Sequence, residues 1–281
     1  MTNVRLRVTL FVARKLLAQK LIMQNRQKLF GVEIDAVRMN EAVERIFRWI
    51  DEPQDQCQFV VTPNVDHTVL LRENEQLRNA YRDSGLVLAD GHPVVMAARF
   101  LGKPLPERVP GSDLVPRVFS AAGDRTPITT FLLGAATGVA DIAAENIESK
   151  WENVYVTGTY SPPLGFENDT AECEKILALI NRAQPDILIV GLGAPKQELW
   201  THRFQDRINA RVALCVGATI DFLAGEKKRA PRWVQAIGME WLHRIGTDPK
   251  RLFKRYAKDA WIFPQLVWNE WSKPEETDAA S

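Results

Sequence analysis

The segment at residues 186–198 places polar side chains directly after a strongly apolar run. Its sequence is DILIVGLGAPKQE, so two glycines and Pro195 are followed at once by Lys196, Gln197 and Glu198. This pattern predicts a buried parallel strand, a tight turn, and a helix that opens with Pro195 at its first position. The free N–H groups and partial positive charge of a helix start favour anionic ligands. An ordinary strand-to-helix junction would show the same pattern, and both interpretations stay open.

Polar groups also end two other apolar runs. Thr62 and Asn64 lie at the end of the strand-like segment 58–62, and Asp90 ends the strand-like segment 85–90. In open α/β sheets, ligands bind beyond the carboxyl ends of the strands. A carboxylate placed there, beside a substrate hydroxyl, can take its proton as the oxygen attacks, which is general base catalysis. Asp90 could equally cap the following helix or form half of an Asp-Gly turn.

A third candidate is Arg108, which could hold a phosphate or form a surface ion pair of little energetic value. The glycine turns do not complete the known nucleotide-binding motifs. Gly191 and Gly193 match the first two glycines of GxGxxG, but Lys196 occupies the third place, and the turn at 134–138 lacks the second glycine. Neither turn is a GxxxxGK(S/T) phosphate loop, and no GxSxG elbow is present. An NAD-dependent enzyme or a P-loop ATPase is therefore poorly supported.

Composition narrows the class of protein further. With 281 residues, 46% hydrophobic and 25% charged, the chain has the composition of a globular protein with a full core. A net charge of +1 indicates no general affinity for nucleic acid. The isolated cysteines Cys57, Cys173 and Cys215 fit a reducing cytoplasm, and the four histidines form no metal-binding pair, so we expect no metal site. No apolar run is long enough to span a membrane.

The order of segments predicts the fold class. From residue 29 to residue 230, strand-like and helix-like segments alternate, which indicates an α/β domain with a mostly parallel sheet and helices on both faces. Residues 1–28 carry seven basic side chains and no acid, and we interpret them as a basic N-terminal extension. Residues 231–281 are basic and rich in tryptophan, and we interpret them as a helical C-terminal appendage.

The appendage contains a predicted amphipathic helix that begins at Pro249. One stripe is basic and the opposite stripe is apolar, with tryptophans following. A basic face beside tryptophans favours an anionic membrane surface, whereas a helix packed on the core with a solvated basic face remains the alternative. The basic stripe comprises Lys250, Arg251, Lys254, Arg255 and Lys258, and the apolar stripe comprises Leu252, Phe253, Tyr256, Ala257 and Ala260.

Taken together, the motifs resemble the WecG/TagA/CpsF family of bacterial glycosyltransferases. The similarity covers roughly residues 30–263, in family order, and several of its motifs are long. The matching segments are TPN (62–64), DGHPVV (90–95), ERVPGSDL (107–114), FLLG (131–134), YSPP (160–163), GLGAPKQE (191–198), VGA (216–218), DFLAG (221–225), KRAP (228–231), EWLHR (240–244), PKRL (249–252) and RY (255–256).

The resemblance implies a Rossmann-like core and a C-terminal appendage that reaches the membrane. It implies an inverting transfer of a hexose or N-acetylhexosamine-type sugar from a UDP-sugar to a polyprenyl-diphosphate-linked sugar, during synthesis of a cell-surface polysaccharide. The UDP-sugar is then a donor substrate, and no cofactor is expected. The enzyme would act in the cytoplasm, peripherally on the inner face of the cytoplasmic membrane. Self-association into a homo-oligomer is left open.

The resemblance also assigns roles to single residues. Asp90 matches the proposed general base, and Thr62 and Asn64 match pocket residues beside it. Arg108 matches a pocket arginine, and Gln197 matches a residue that contacts the nucleotide. The residues that match appendage arginines for the acceptor diphosphate are Arg244, Arg251 and a third that falls on Arg255 or Lys254.

Two other functions are weighed against this transferase. A catalytically silent nucleotide-sensing or scaffold protein could use the same fold, but the joint presence of Asp90, Arg108 and Gln197 argues against it. An oxidoreductase is a more distant alternative, since the GxGxxG pattern is broken.

Overall fold

Strands and helices alternate along the chain. The computed structural model describes residues 26–52, 54–227, 229–231, 234, 239–247 and 249–273, without the side chains of residues 124, 244, 247 and 249–251. The strands are β1 (Arg26–Leu29), β2 (Val32–Asp35), β3 (Gln58–Val61), β4 (Leu86–Val87), β5 (Ile128–Gly134), β6 (Val154–Tyr160), β7 (Ile187–Gly191) and β8 (Val212–Cys215). The helices are α1 (Met39–Asp51), α2 (Val65–Glu73), α3 (Glu75–Asp83), α4 (His92–Phe100), α5 (Gly111–Ala121), α6 (Val139–Lys150), α7 (Thr170–Ala183), α8 (Lys196–Phe204), α9 (Thr219–Ala224), α10 (Glu240–Thr247) and α11 (Pro249–Trp271).

Within the described residues, six strands form one parallel sheet in the order β4-β3-β8-β7-β5-β6. In the half of this sheet that carries the site, Val61 of β3 lies between Val87 of β4 and Cys215 of β8. Because all six strands run in one direction, the loops after them meet along one edge. This confirms the predicted parallel sheet. Strands β1 and β2 form a separate antiparallel hairpin.

Alternate residues of strands β3, β5, β7 and β8 are buried on opposite faces of the sheet. Phe59 and Val61 belong to one apolar cluster, whereas Val60 belongs to the cluster on the other face. In β7, Leu188 and Ile189 divide in the same way. Full burial of such a side chain contributes about 1.5–3 kcal/mol, so both faces need a cover of helices. The helices on both faces confirm the predicted layers and explain why these strands are continuous apolar runs.

Two predicted boundaries differ from the structure. The strand expected at 85–90 is assigned only at Leu86–Val87, although Asp90 N still donates to Pro63 O at 2.8 Å. Pro63 has no N–H to donate in return, so regular pairing ends before Asp90. Helix α8 begins at Lys196 and Pro195 precedes it, one residue later than predicted.

The C-terminal helix α11 packs against the rest of the protein. The rings of Phe263 and Phe30 lie 5.4 Å apart, and Leu252 is buried. The predicted apolar stripe is wrong at Phe253, which is 64% exposed, and at Ala257 and Ala260, which are exposed as well, because the inner face instead includes Asp259. Residues 26–28 of the predicted N-terminal extension belong to β1, and the rest of that extension lies outside the described residues. In the part of the chain that the structure describes, no helix combines the length and apolarity needed to span a bilayer.

Candidate active site

Asp90 and Arg108 meet at the carboxyl end of β4. The main chain around them is tied together, since Val109 N donates to Ala89 O at 2.8 Å and Asp90 N donates to Pro63 O at 2.8 Å. Arg108 Nη1 then lies 4.0 Å from Asp90 Oδ1. The structure thus places two of the predicted site residues in contact.

The Arg108 guanidinium is shared among three carboxylates. Besides Asp90, its Nη1 donates to Glu240 Oε2 at 3.3 Å, and its Nη2 lies 3.8 Å from Asp113 Oδ2. Asp113 in turn accepts a hydrogen bond from Arg229. Only 16% of the Arg108 side chain is exposed, so these pairs are partly protected from solvent screening. Because Glu240 comes from α10, Arg108 joins the parallel-sheet core to the appendage.

Asn64 caps the helix that follows β3. Its Oδ1 accepts from His67 N at 3.3 Å, which satisfies one of the free N–H groups at the start of α2. The same oxygen lies 2.9 Å from His67 Nδ1, and His67 Nε2 lies 3.3 Å from Glu198 Oε1. A doubly protonated imidazole would donate to both oxygens. Asn64 is therefore held in place by a side chain deep in the core.

Gln197 and Thr62 lie deeper than Asn64. Gln197 is 2% exposed, its Nε2 donates to Glu198 Oε1 at 2.7 Å, and its Oε1 accepts from Gly217 N at 3.1 Å. Thr62 is 5% exposed, and its Oγ1 donates to Cys215 O at 3.2 Å. Both side chains therefore hold the turns at the ends of β3 and β8. The predicted contact between Gln197 and a nucleotide stays a prediction.

Burial and carboxylates have opposite effects on the charge of His67. Burial lowers the pKa of His67, but its hydrogen bond to Glu198 and the charges of Glu198, Asp66 and Asp90 outweigh this effect and leave the pKa raised. The ring therefore tends to carry a positive charge that balances Glu198, an acid with no exposed surface.

Glycine is required where the turns after β5, β7 and β8 approach one another. A Cβ on Gly134 would collide with the carbonyl of Gly191, and one on Gly191 would lie 2.9 Å from Gly217 O. Gly134 also has a φ of +121°, which disfavours other residues. The close packing brings these main-chain turns together near the start of α8, where an anionic group is favoured.

A cavity of about 290 Å³ opens beside Asp90. The parallel-sheet core supplies one wall and helices α10 and α11 supply the other, so neither part forms the cavity alone. Among the predicted residues, Asn64, Asp90, Arg108 and Arg255 line it, whereas Thr62 and Gln197 do not. The cavity is lined by Asn64, Val65, Asp66, Asp90, Gly91, His92, Pro93, Arg108, Glu240, Trp241, Arg255, Tyr256, Asp259, Ala260, Phe263 and Pro264.

The structure describes the side chains of only some of the predicted appendage cations. Arg255 Nε lies 3.4 Å from Asp66 Oδ1, and 43% of the Arg255 side chain is exposed. Lys254, the alternative third cation, is exposed on α11. Arg244 lies in α10 and Arg251 in α11, but their side chains are outside the described residues, so their proposed roles stay predictions.

The sequence analysis assigned no individual role to five polar residues of this region. Asp66, Glu240 and Asp259 line the cavity, whereas His67 and Glu198 contact each other and do not line it. His67 carried one signal, because it occupies the third helical position after the cap Asn64, and Glu198 directly follows Gln197. The five residues are Asp66, His67, Glu198, Glu240 and Asp259.

The arrangement can support proton transfer to Asp90 and binding of an anion near Arg255. Asp90 is 26% exposed, so a substrate hydroxyl can reach it. Arg255 retains donors that Asp66 does not use, since a guanidinium has five. The same cavity thus offers a base and a cation at different walls.

Comparison with known proteins adds an independent finding. The model of the glycosyl transferase WecG/TagA/CpsF family matches residues 27–277. Two curated proteins from Staphylococcus aureus strains MRSA252 and NCTC 8325 / PS 47 are 28% identical over 224 residues, which is 80% of this chain and 85% of each relative. Both carry the name N-acetylglucosaminyldiphosphoundecaprenol N-acetyl-beta-D-mannosaminyltransferase.

Proposed function

This chain belongs to the WecG/TagA/CpsF family of glycosyltransferases, and we propose that it transfers a sugar from a UDP-sugar to a sugar carried on a polyprenyl diphosphate. The observation that carries the proposal is the joint cavity, which combines Asp90 from the core with Arg255 from the appendage. The named relatives support a diphosphate-linked acceptor, since their names specify N-acetylglucosaminyldiphosphoundecaprenol. The product would be a cell-surface polysaccharide precursor.

In the proposed reaction, Asp90 acts as the general base. The proton of the acceptor hydroxyl passes to the Asp90 carboxylate while that oxygen bonds to the anomeric carbon and the bond from this carbon to UDP breaks. A single displacement of this kind inverts the anomeric centre. Arg108 orients Asp90 through the 4.0 Å pair, and a fixed orientation lowers the entropic part of the barrier.

The leaving UDP must be stabilised by preorganised donors or cations. The start of α8 and the glycine turns beside it present main-chain N–H groups, and such groups stabilise developing negative charge. Gln197 would contribute by holding the Gly217 turn through its 3.1 Å hydrogen bond. We therefore place the donor at the ends of β7 and β8, next to the cavity that takes the acceptor.

The outer surface of α11 supports docking on an anionic membrane. Trp261, Trp268 and Trp271 are 75%, 64% and 54% exposed, and Phe100 of α4 extends this aromatic surface with its ring 6.4 Å from that of Trp271. Tryptophan favours the lipid–water interface. Docking on the inner face of the cytoplasmic membrane would bring a lipid-linked acceptor to the cavity.

The deciding experiment is a transfer assay with the purified full chain. UDP-N-acetylmannosamine, its uronic acid and UDP-glucose are offered with short-chain polyprenyl-diphosphate N-acetylglucosamine, and UDP release and product mass are measured. We expect one donor to give a disaccharide on the lipid. UDP binding without transfer from any donor would instead favour the catalytically silent nucleotide-binding protein.

A further inference from the structure

Asp259 is a buried carboxylate on the inner face of α11 to which the proposed reaction assigns no role. It is 3% exposed and lines the cavity. Its Oδ2 atom has no hydrogen-bond partner among the described residues. A buried polar atom without a partner destabilises the folded protein, and native structures contain few of them. Such an atom at a cavity wall suggests that a ligand supplies the missing donor.

The nearest cations on the same helix are engaged elsewhere. Arg255, one turn before Asp259, has its Nε 3.4 Å from Asp66 Oδ1, and Lys258 Nζ lies 3.7 Å from Glu73 Oε2. Both partners belong to α2, so the ion pairs between α2 and α11 leave Asp259 out. Asp259 therefore lines the cavity without an ion pair to a cation of the described residues.

The charges around the cavity limit the ligand groups that Asp259 can bind. A phosphate would be repelled by Asp259 and by the nearby Asp66, whereas Arg255 would attract it. A carboxylate accepts hydrogen bonds from hydroxyl and amide N–H groups. Charge-assisted hydrogen bonds of this kind are about twice as strong as neutral ones. A sugar-diphosphate ligand fits this pattern with its diphosphate toward Arg255 and its hydroxyls toward Asp259.

The position of Asp90 indicates that the sugar near Asp259 is the acceptor sugar rather than the donor sugar. Asp90 and Asp259 line the same cavity, one from the core and the other from α11. In the proposed reaction, the acceptor presents its attacking hydroxyl to Asp90, so its remaining polar groups face the other walls. We propose that Asp259 is a specificity-determining residue that accepts hydrogen bonds from hydroxyl or amide groups of the acceptor sugar. This inference rests on the proposed function.

The test compares wild type with Asp259→Asn and Asp259→Ala in the full-length protein. Short-chain polyprenyl-diphosphate N-acetylglucosamine and its monodeoxy analogues serve as acceptors. We expect the acceptor KM of Asp259→Ala to rise about ten- to a hundredfold, with the donor KM within about twofold of wild type. Wild type should discriminate against at least one deoxy acceptor, and Asp259→Ala should lose that discrimination.

The matched control is Glu73→Gln, which removes a carboxylate from the same α2–α11 contact outside the cavity. Its acceptor KM should stay at the wild-type value. Thermal unfolding of each variant shows whether it is folded. If Asp259→Ala is not folded, the nearly isosteric Asp259→Asn replaces it in the test. An active wild type with an unchanged acceptor KM in the folded Asp259 variant overturns this inference alone. A wild type without transfer activity overturns the proposed function.

The dependence of the acceptor KM on pH gives a second readout. Burial and then the charge of Asp66 raise the pKa of Asp259 from 3.8 to about 6, while Arg255, Lys258 and His67 act against this. The wild-type acceptor KM should rise as the pH falls through about 6, and that of Asp259→Asn should not follow this step. An identical pH profile in both proteins would contradict the proposal. The charged groups around Asp259 are Asp66 and His67 of α2, Arg255 and Lys258 of α11, Glu240 of α10, and Asp90 and Arg108 of the core wall.

Discussion

His67 Nε2 lies 3.3 Å from Glu198 Oε1, although the two residues are 131 positions apart in the chain. The pair links α2, which begins beside Asn64, to α8, which begins beside the glycine turns. Glu198 also accepts a hydrogen bond from Gln197. The proposed acceptor and donor regions are therefore joined through the core by hydrogen-bonded side chains.

This pair predicts a pH-dependent stability. The pKa of His67 is raised in the folded protein. The stability that this residue contributes is therefore fully present below its unfolded pKa, near 6.5, and is lost as the pH rises through the folded pKa. Glu198→Gln should lower the free energy of unfolding by about 1–3 kcal/mol and weaken this pH dependence. Urea unfolding from pH 6 to pH 9 measures both effects. Equal pH profiles for the two proteins would contradict the role of the pair.

Replacement of Asp90 tests the general base. Asp90→Asn keeps the side-chain shape but removes the basicity, so kcat should fall by about 10²–10⁴-fold with little change in the donor KM. Asp113→Asn is the matched control, because Asp113 contacts the same guanidinium but does not line the cavity. Steady-state kinetics of both variants test whether Asp90 acts as the general base. A near wild-type kcat for Asp90→Asn would exclude it.

UDP should stabilise the protein against heat, whereas NAD should not. A ligand of the native state at about 100 times its Kd adds about 2.7 kcal/mol, which gives a measurable rise in Tm. Gln197→Ala should weaken this effect, because the Gly217 turn loses its 3.1 Å hydrogen bond. Thermal shift assays with UDP and NAD provide the measurement. A shift with NAD alone would be incompatible with the transferase.

Membrane docking is tested on the outer surface of α11. Each basic residue near an anionic surface contributes about 1 kcal/mol, so Lys254→Gln should weaken vesicle binding about fivefold at low salt. Replacement of Trp268 and Trp271 by serine should reduce binding at all salt concentrations, because both are more than half exposed. Leu164→Ser is the control, since this 99% exposed apolar residue lies in the loop after β6 and is not part of α11. Sedimentation with anionic vesicles measures the binding. Equal pelleting of all variants would contradict docking through the outer surface of α11.

Asp259 should lower stability at neutral pH. Because its folded pKa of about 6 exceeds the unfolded value of 3.8, the folded state holds more protons between these values, and stability declines as the pH rises through that window. Asp259→Asn should therefore raise the free energy of unfolding by about 1–3 kcal/mol at pH 7.5, and by less at pH 5. Urea unfolding at the two pH values checks this. A less stable Asn variant at pH 7.5 would contradict the expected penalty.

Local sequence patterns were sufficient to predict the parallel sheet and part of the site. The apolar runs at β5, β7 and β8 are buried on both faces, so their composition alone distinguishes them from surface strands. Asp90 and Arg108 were predicted as separate candidates, and short main-chain ties do bring them together. These features follow from local patterns of residues, which can be recognised in a single sequence.

Only the tertiary structure decided which distant side chains meet. The pattern of α11 predicted a helix correctly but placed Phe253 on its packed face and overlooked Asp259. A helix with apolar residues on several sides can pack in more than one orientation, and the surface of α2 and the β1–β2 hairpin selects one. The contact between Arg108 and Glu240, 132 positions apart, depends on that same packing. The sequence by itself determined the fold and identified Asp90 as the candidate base, and the docking of α10 and α11 determined the cavity.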